Sequence, residues 1–99
     1  MTIRIFKEKV KYQGKDERVA YKVDTLPWGG DPSNAVATIT LRGIDVSEDH
    51  LDGDVSVTMN TIKTPLVISL VPGNRYQLEV RWDYQSNTLE AFGWIVGEA

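Results

Sequence analysis

Polar and apolar residues alternate strictly from Tyr76 to Gln85. The apolar positions, which would share one face of an extended chain, are Tyr76, Leu78, Val80, Trp82 and Tyr84. Every residue between them is polar. A period of two sustained over this length is the pattern of a half-buried antiparallel strand.

Shorter patterns of the same kind predict the other strands. We expect them at residues 2–6 and 10–12, then at 19–24, 35–42, 55–59, 62–71, 75–84 and 88–96. Pro65 cannot donate a ladder hydrogen bond, so its strand should lie at a sheet edge or be interrupted there. Apolar residues fall on both faces of the last strand, which predicts that both faces are covered. No segment has helical spacing for more than a turn, so we predict an all-β antiparallel sandwich of about seven strands.

The residues before this long strand also indicate a particular fold. Leu70, the turn pair Pro72-Gly73 and Tyr76 resemble the tyrosine corner of immunoglobulin-like sandwiches, which fibronectin type III modules share. The resemblance implies that the ring of Tyr76 enters the core while its hydroxyl bonds a backbone group just upstream. The expected core includes Tyr21, Val23, Ile39, Leu41, Val57, Leu70, Tyr76, Leu78, Val80, Trp82, Leu89 and Ala91.

Length and composition restrict the class of protein further. The 99 residues suffice for one domain, spanning 1–99, and they include no cysteine. No disulfide or thiolate is therefore available. No apolar run approaches the roughly 20 residues of a membrane span, and the first residues show no signal-peptide pattern. We expect a protein made in a reducing cytoplasm that has no membrane contact.

Charge is distributed unevenly along the chain. Residues 1–22 carry seven basic and three acidic side chains, whereas residues 23–99 carry four basic and eleven acidic ones. Residues 1–14 thus form a basic N-terminal strand or arm on an acidic body, an arrangement that suits docking to an acidic protein surface or head-to-tail contact between copies. Alternatively, residues 2–12 complete the protein's own sheet, with lysines that keep an edge strand soluble. The candidate partner-binding residues are Arg4, Phe6, Lys7, Lys9, Lys11 and Trp28.

Trp28 lies in the most irregular segment of the chain. Two prolines and two glycines prevent regular structure between Thr25 and Asn34. A tryptophan in such a loop either plugs one end of the sandwich or anchors a partner. The rigid Pro-Trp-Gly-Gly sequence favours the plug.

Candidate chemistry is sparse. His50, the one histidine, lies in an acidic segment whose weak candidates for calcium ligands are Asp45, Asp49, Asp52 and Asp54. Their spacing is not that of an EF-hand, and a solvated acidic loop with Ser47 or Asp49 capping one helical turn is the favoured explanation. No serine lies in a nucleophile-elbow pattern, and no glycine-rich loop leads into a helix. We therefore expect no enzyme activity, no metal, no cofactor and, because the body is acidic, no nucleic-acid partner.

Three stretches together resemble a known class of protein. They are Glu17–Thr25 leading to Trp28 and Pro32, the corner from Leu70 to Trp82, and Asn87–Phe92. In this order and spacing they resemble small immunoglobulin-like proteins encoded in the structural gene clusters of tailed bacteriophages and prophages. A fibronectin module differs, because it carries its tryptophan inside the second strand.

The resemblance implies a structural component of the phage virion, synthesised in the host cytoplasm. It would be a head decoration, a head–tail accessory or a tail module that binds other virion proteins, such as the major capsid or tail protein, or further copies of itself. The alternative is a free-standing carbohydrate- or protein-binding module that uses Trp28 and its loop as the contact.

Overall fold

The computed structural model describes the backbone of residues 2–5 and the backbone and side chains of residues 10–99. Within these residues the chain is all-β, with several sheets in an arrangement compatible with a β-sandwich. The strands are β1 (Thr2–Ile5), β2 (Lys11–Gly14), β3 (Lys22–Asp24), β4 (Ser33–Leu41), β5 (Ile44–Asp45), β6 (Leu51–Asp52), β7 (Ser56–Thr58), β8 (Thr61–Lys63), β9 (Leu66–Val67), β10 (Arg75–Tyr84) and β11 (Asn87–Glu98). Two short helices interrupt them, a 3-10 turn at Leu26–Trp28 and α1 at Ser47–His50.

The two long strands β10 and β11 form the middle of a six-stranded sheet. Its order is β1-β11-β10-β4-β5, and β2 pairs with the same side of β11 as β1 does. β10 is antiparallel to both of its neighbours, whereas β1 and β2 run parallel to β11. A two-residue turn at Arg42 and Gly43, both with positive φ, connects β4 to β5, as in a type I′ hairpin.

Two smaller sheets, β3-β8-β7 and β6-β9, carry the rest of the described strands. The strand predicted over residues 62–71 is interrupted at Pro65, as expected of a residue without an N–H donor. Thr64 compensates for the interruption, because its hydroxyl accepts the N–H of Tyr21 at 2.9 Å and its own N–H donates to the carbonyl of Tyr21 at 2.8 Å. Residues 2–5 and 10–99 form eleven strand segments, because the strand predicted over 62–71 divides into β8 and β9 and because the two-residue strands β5 and β6 lie in the acidic segment, where no strand was predicted.

The core lies between the large sheet and the small ones, in two adjacent clusters. The first contains Val23, Ile62, Val80, Trp82, Leu89 and Ala91. The second contains Ile39, Val67, Leu70, Tyr76, Leu78 and Ile95. The inward row of β10 supplies two members to each cluster, so the alternation predicted for this strand is confirmed.

Some details of the predicted core were wrong. Val57 is 43% exposed, because it lies on β7, the edge strand of the three-stranded sheet. The hairpin turn after β7 consists of Met59 and Asn60, one residue earlier than predicted, so Met59 lies at the tip and is 85% exposed. Tyr21 and Leu41 are only half-buried and pack against the second cluster.

The segment before β10 packs closely on the end of β11. The ring of Tyr76 is fully buried, and its hydroxyl accepts the backbone N–H of Val71 at 3.0 Å. Gly97 lies directly beneath this segment, where an added Cβ would be 2.4 Å from the carbonyl oxygen of Val71. Backbone bonds from Gly73 to Gly97 and from Gly97 to Asn74, each 2.9 Å long, fasten the two segments together.

Replacing Tyr76 with phenylalanine removes the hydroxyl and keeps the ring, so it measures the contribution of the hydroxyl alone. We expect Tyr76→Phe to lower the free energy of unfolding by about 1–3 kcal/mol, because the N–H of Val71 loses its partner while the buried ring volume is kept. Guanidinium denaturation of both proteins measures the difference. A change near zero would mean that water satisfies Val71 and that the hydroxyl does not fix the segment.

Candidate partner-binding surface

The N-terminal segment forms one edge of the large sheet. β1 pairs with Leu89–Phe92 and β2 pairs with Ile95–Glu98, so both are parallel neighbours of β11. This is the arrangement expected if the segment completes the protein's own sheet. Of the candidate contacts, Lys11 lies with its Nζ 5.5 Å from the ring centroid of Tyr21. Phe6, Lys7, Lys9 and the side chain of Arg4 lie outside the described residues.

Behind this edge, a buried glutamine connects β2 to the small sheets. Gln13 is 1% exposed, and its Nε2 donates to the carbonyls of Val67 at 2.8 Å and Glu17 at 3.1 Å. Its Oε1 accepts the hydroxyl of Tyr21 at 2.8 Å. Burial of that hydroxyl, with a smaller contribution from the charge of Glu17, raises the pKa of Tyr21 to about 12. The basic edge is therefore fixed to the body by a satisfied polar network.

The raised pKa of Tyr21 predicts how the stability of the fold depends on alkaline pH. Between the ordinary pKa of 10.0 and the raised pKa of about 12, the unfolded chain has lost the proton of Tyr21 and the folded chain still holds it. Because the folded state then binds more protons, its stability must fall as the pH rises through this window. We expect a smaller fall for Tyr21→Phe, which has no proton to lose there. Denaturant midpoints measured across the window for both proteins test this, and parallel curves would exclude a contribution from Tyr21.

Trp28 occupies the position expected of a plug. Its ring is half-buried, packs against the first core cluster and lies 6.0 Å from the ring of Trp82, tilted by 47°. The backbone turns away at Gly29, where φ is +111° and an added Cβ would be 2.4 Å from Cε2 of Tyr84. This close packing holds the tryptophan over one end of the core.

The same loop is anchored to the β7–β8 turn. The N–H and the hydroxyl of Thr25 both donate to the carbonyl of Asn60, at 2.9 and 2.7 Å. The side chain of Asn60 accepts the N–H of Asp31 at 3.0 Å. Of the aliphatic residues in this loop, Leu26 is 61% exposed. The loop is thus fixed at both ends, and Leu26 extends into solvent further than Trp28 does.

In the acidic segment of residues 45–54, Asp45 and Asp52 have separate local partners, and the carboxylates do not converge on one point. Asp45 accepts the N–H of Ser47 at 2.8 Å, and hydrogen bonds from Ser47 hold the pKa of Asp45 below its ordinary value. It is thus Asp45 that bonds the start of α1, whereas the hydroxyl of Ser47 accepts the N–H of Ile39 at 3.0 Å. Asp52 pairs with Arg18. Within the described part of the chain, no three His, Cys, Asp or Glu side chains converge on a point where a metal could be held.

His50 is packed into the structure. Its ring meets that of Tyr76 edge-on at 5.0 Å, and its Nδ1 lies 3.1 Å from the carbonyl oxygen of Ile68. A carbonyl accepts hydrogen bonds only, so Nδ1 carries a proton in this contact. The buried ring is therefore used for packing against Tyr76 and for a bond to the carbonyl of Ile68.

A surface that the sequence did not single out lies on the outer face of the large sheet. Phe92, Trp94 and Val96 are half-buried and belong to neither core cluster, so the outer row of β11 is less covered than we predicted. Tyr12, opposite Val96 in the register, is 63% exposed. The period-two row of Phe92, Trp94 and Val96 was the available signal for this face.

At one end of this face the sheet forms a groove of about 380 Å³. It is lined by residues of the β4–β5 turn, by Asn74 and Arg75, and by Gln77 and Trp94. The register places Leu41 opposite Tyr76, which brings Arg42 and Arg75 to the same end of neighbouring strands. The guanidinium of Arg75 lies 4.4 Å from the ring centroid of Trp94.

Comparison with known proteins identifies no relative. No protein-family model matches the chain, and neither a curated protein nor a solved structure does. Across residues 2–5 and 10–99, none of the helices is both long enough and apolar enough to span a membrane.

Proposed function

We propose that this protein is a non-enzymatic, immunoglobulin-like sandwich that serves as a structural component of a phage virion and acts through protein–protein contacts. Its position would be that of a head decoration, a head–tail accessory or a tail module. The partners would be other virion proteins, and further copies of the chain are candidates as well.

The strand arrangement supports the immunoglobulin-like part of the proposal. First-strand segments run parallel to the last strand, the long β10–β11 pair occupies the middle of one sheet, and smaller sheets cover its inner face. The bond between the hydroxyl of Tyr76 and the N–H of Val71 has the form of a tyrosine corner. Together these features fit the fold that the sequence resemblance implies.

The observation that carries the contact function is the outer face of the large sheet. An aromatic and aliphatic row on β11 lies outside both core clusters, and the exposed Tyr12 adjoins it on β2, opposite Val96. Aromatic residues are enriched in protein interfaces, and partly exposed apolar surface on a sheet face suits a partner that covers it. The chain thus has a partly exposed apolar row on a sheet face that is available for contacts in an assembly.

The alternative, a free-standing binding module that uses Trp28, is supported less well. The ring of Trp28 packs against Trp82, and its loop is fixed by Thr25 and Asn60. Stacking a sugar on Trp28 would require an open ring face, whereas this ring is half-buried against the core. We therefore place this candidate second.

Purified virus particles provide the direct test. The gene is expected among portal, capsid and tail genes, and mass spectrometry of particles from the strain that carries it should detect the chain in many copies. A particle reconstruction would then locate it. Absence of the chain from particles whose known structural proteins are all detected would refute the virion role.

The role of the basic N-terminal segment needs a separate experiment. We expect a deletion of residues 1–12 to abolish particle binding, but the deletion also removes β1 from the edge of β11. A second variant, Lys7→Gln with Lys9→Gln, keeps the chain length and removes two charges. If this variant melts like the wild type and binds particles equally well at low and high salt, the segment is part of the sheet and is not the attachment element.

A further inference from the structure

The groove at the end of the outer face concentrates positive charge on a protein that is negative overall. The chain carries a net charge of −3, yet the groove is lined by Arg42 and Arg75, and none of its described lining residues is acidic. No carboxylate within residues 10–99 forms an ion pair with either arginine. Arginines without a carboxylate partner in a concave surface leave their hydrogen-bond donors available to a ligand.

Arg75 is oriented by its contact with Trp94. Its guanidinium lies 4.4 Å from the ring centroid, close enough for a cation–π interaction. The guanidinium has five N–H donors, none of which bonds a carboxylate among the described residues, and pairs of these donors match the two oxygens of a carboxylate. Because the side chain is already restrained, less rotamer entropy is lost when a ligand binds.

The neighbouring side chains add uncharged hydrogen-bonding groups. Thr40, Asn74 and Gln77 line the same groove and provide hydroxyl and amide groups, which can pair with a peptide backbone. On the adjoining part of the sheet, Glu79 and Glu90 lie close enough that their repulsion, after burial, helps to raise the pKa of Glu79. Asp45 lies opposite Thr40 in the register, and Glu79 and Glu90 lie further along the sheet. A long polyanion that continued across the sheet would meet these carboxylates, whereas a short acidic segment can pair with Arg42 and Arg75 without extending to them.

We infer that this groove binds a short acidic segment of a partner protein, whose carboxylates pair with Arg42 and Arg75 and whose chain lies against Trp94. The inference rests on the proposed function, because it assumes that the chain acts by binding proteins. It adds the chemical class of the segment that is bound. It also adds a charge-dependent contact on the sheet face to the one proposed for the N-terminal segment.

The test uses the purified protein and a short synthetic peptide in which glutamate alternates with glycine. Nuclear magnetic resonance of the isotope-labelled protein should show shifts of the Trp94 indole N–H, the Arg75 side-chain N–H and the amide of Gly43. Combining Arg42→Gln with Arg75→Gln should weaken peptide binding by about tenfold, as expected for the loss of charge-assisted pairs. Arg75→Lys should also weaken it, because lysine keeps the charge but not the bidentate geometry.

A matched control distinguishes specific binding in the groove from non-specific electrostatic attraction. Lys22 and Lys63 face each other across β3 and β8 and line a second groove on the small sheet, away from Trp94. Combining Lys22→Gln with Lys63→Gln removes the same amount of charge and should change the peptide affinity less than about twofold. All variants must retain the dispersed spectrum of the folded protein.

Several results would overturn the inference. Equal weakening by the arginine and lysine pairs would indicate non-specific attraction. Equal binding of a peptide with glutamine in place of glutamate would exclude carboxylate recognition. Tighter binding of a single-stranded oligonucleotide or a sulfated polysaccharide would assign the groove to another class of polyanion. If the chain is found in particles but the peptide does not bind, only the groove assignment fails; if the peptide binds but the chain is absent from particles, only the virion role fails.

Discussion

Trp82→Ala is expected to lower the free energy of unfolding by about 3–5 kcal/mol, the range measured when a large buried aromatic is truncated. Trp82 is 1% exposed, belongs to the first core cluster and supports the ring of Trp28 at the end of the sandwich. A domain of this kind has a total stability of about 5–15 kcal/mol, so the loss would be a large part of it. Guanidinium denaturation followed by circular dichroism measures the loss.

Two further substitutions separate the causes of that loss. The Nε1 of Trp82 has no hydrogen-bond partner among the described residues, so Trp82→Phe removes ring volume without breaking a bond. Its cost should therefore be well below that of the alanine variant. Trp94→Ala makes the same truncation on the outer face, where the ring is only half-buried. Equal costs at positions 82 and 94 would mean that Trp82 is not the centre of the core.

Hydrophobic alternation was sufficient to predict β10 and its inward row. Each inward residue from Tyr76 to Trp82 is buried, because a period of two places alternate side chains on the same face of a strand. The interruption at Pro65 could be predicted for an equally local reason, the missing N–H. Features determined by one residue and its immediate neighbours were thus accessible from the sequence.

The tip of the β7–β8 hairpin shows where local reasoning was insufficient. Met59 adopts φ +54° although methionine has no preference for turns, and the predicted turn began at Asn60 instead. Asn60 is held from outside its own hairpin, since its carbonyl accepts two bonds from Thr25 and its side chain accepts the N–H of Asp31. These contacts join segments that are far apart in the chain, so the sequence pattern near Met59 could not reveal them.

The basic groove was missed for a similar reason. Arg42, Arg75 and Trp94 belong to three different strands or turns and become neighbours only through the register of β4, β10 and β11. Charge counting along the chain favoured the N-terminal segment, because its basic residues lie close together in the sequence. Its strands pair with β11, whereas the two arginines of the groove have no acidic partner among residues 10–99. A candidate binding site thus depended on strand pairing that the sequence alone did not specify.

Gly97→Ala is expected to cost about 3 kcal/mol, at the upper end of the range for overpacking. The added Cβ would lie 2.4 Å from the carbonyl oxygen of Val71 and 3.3 Å from the Cβ of Leu70. The carbonyl oxygen of Val71 belongs to the backbone, which is held by the bond between Val71 N–H and the hydroxyl of Tyr76. The Cβ of Leu70 is attached directly to the backbone, so rotation of that side chain does not move it away. Relief would require the segment before β10 to move off β11, which would break the bonds that join Gly73 and Asn74 to Gly97.

Gly14→Ala is the matched control, since its new Cβ would meet only the flexible side chain of Glu17, at 3.2 Å. Thermal and guanidinium denaturation of both variants should show a large loss at position 97 and a small one at position 14. Equal losses would mean that the close approach of Val71 to Gly97 does not hold this end of the fold together.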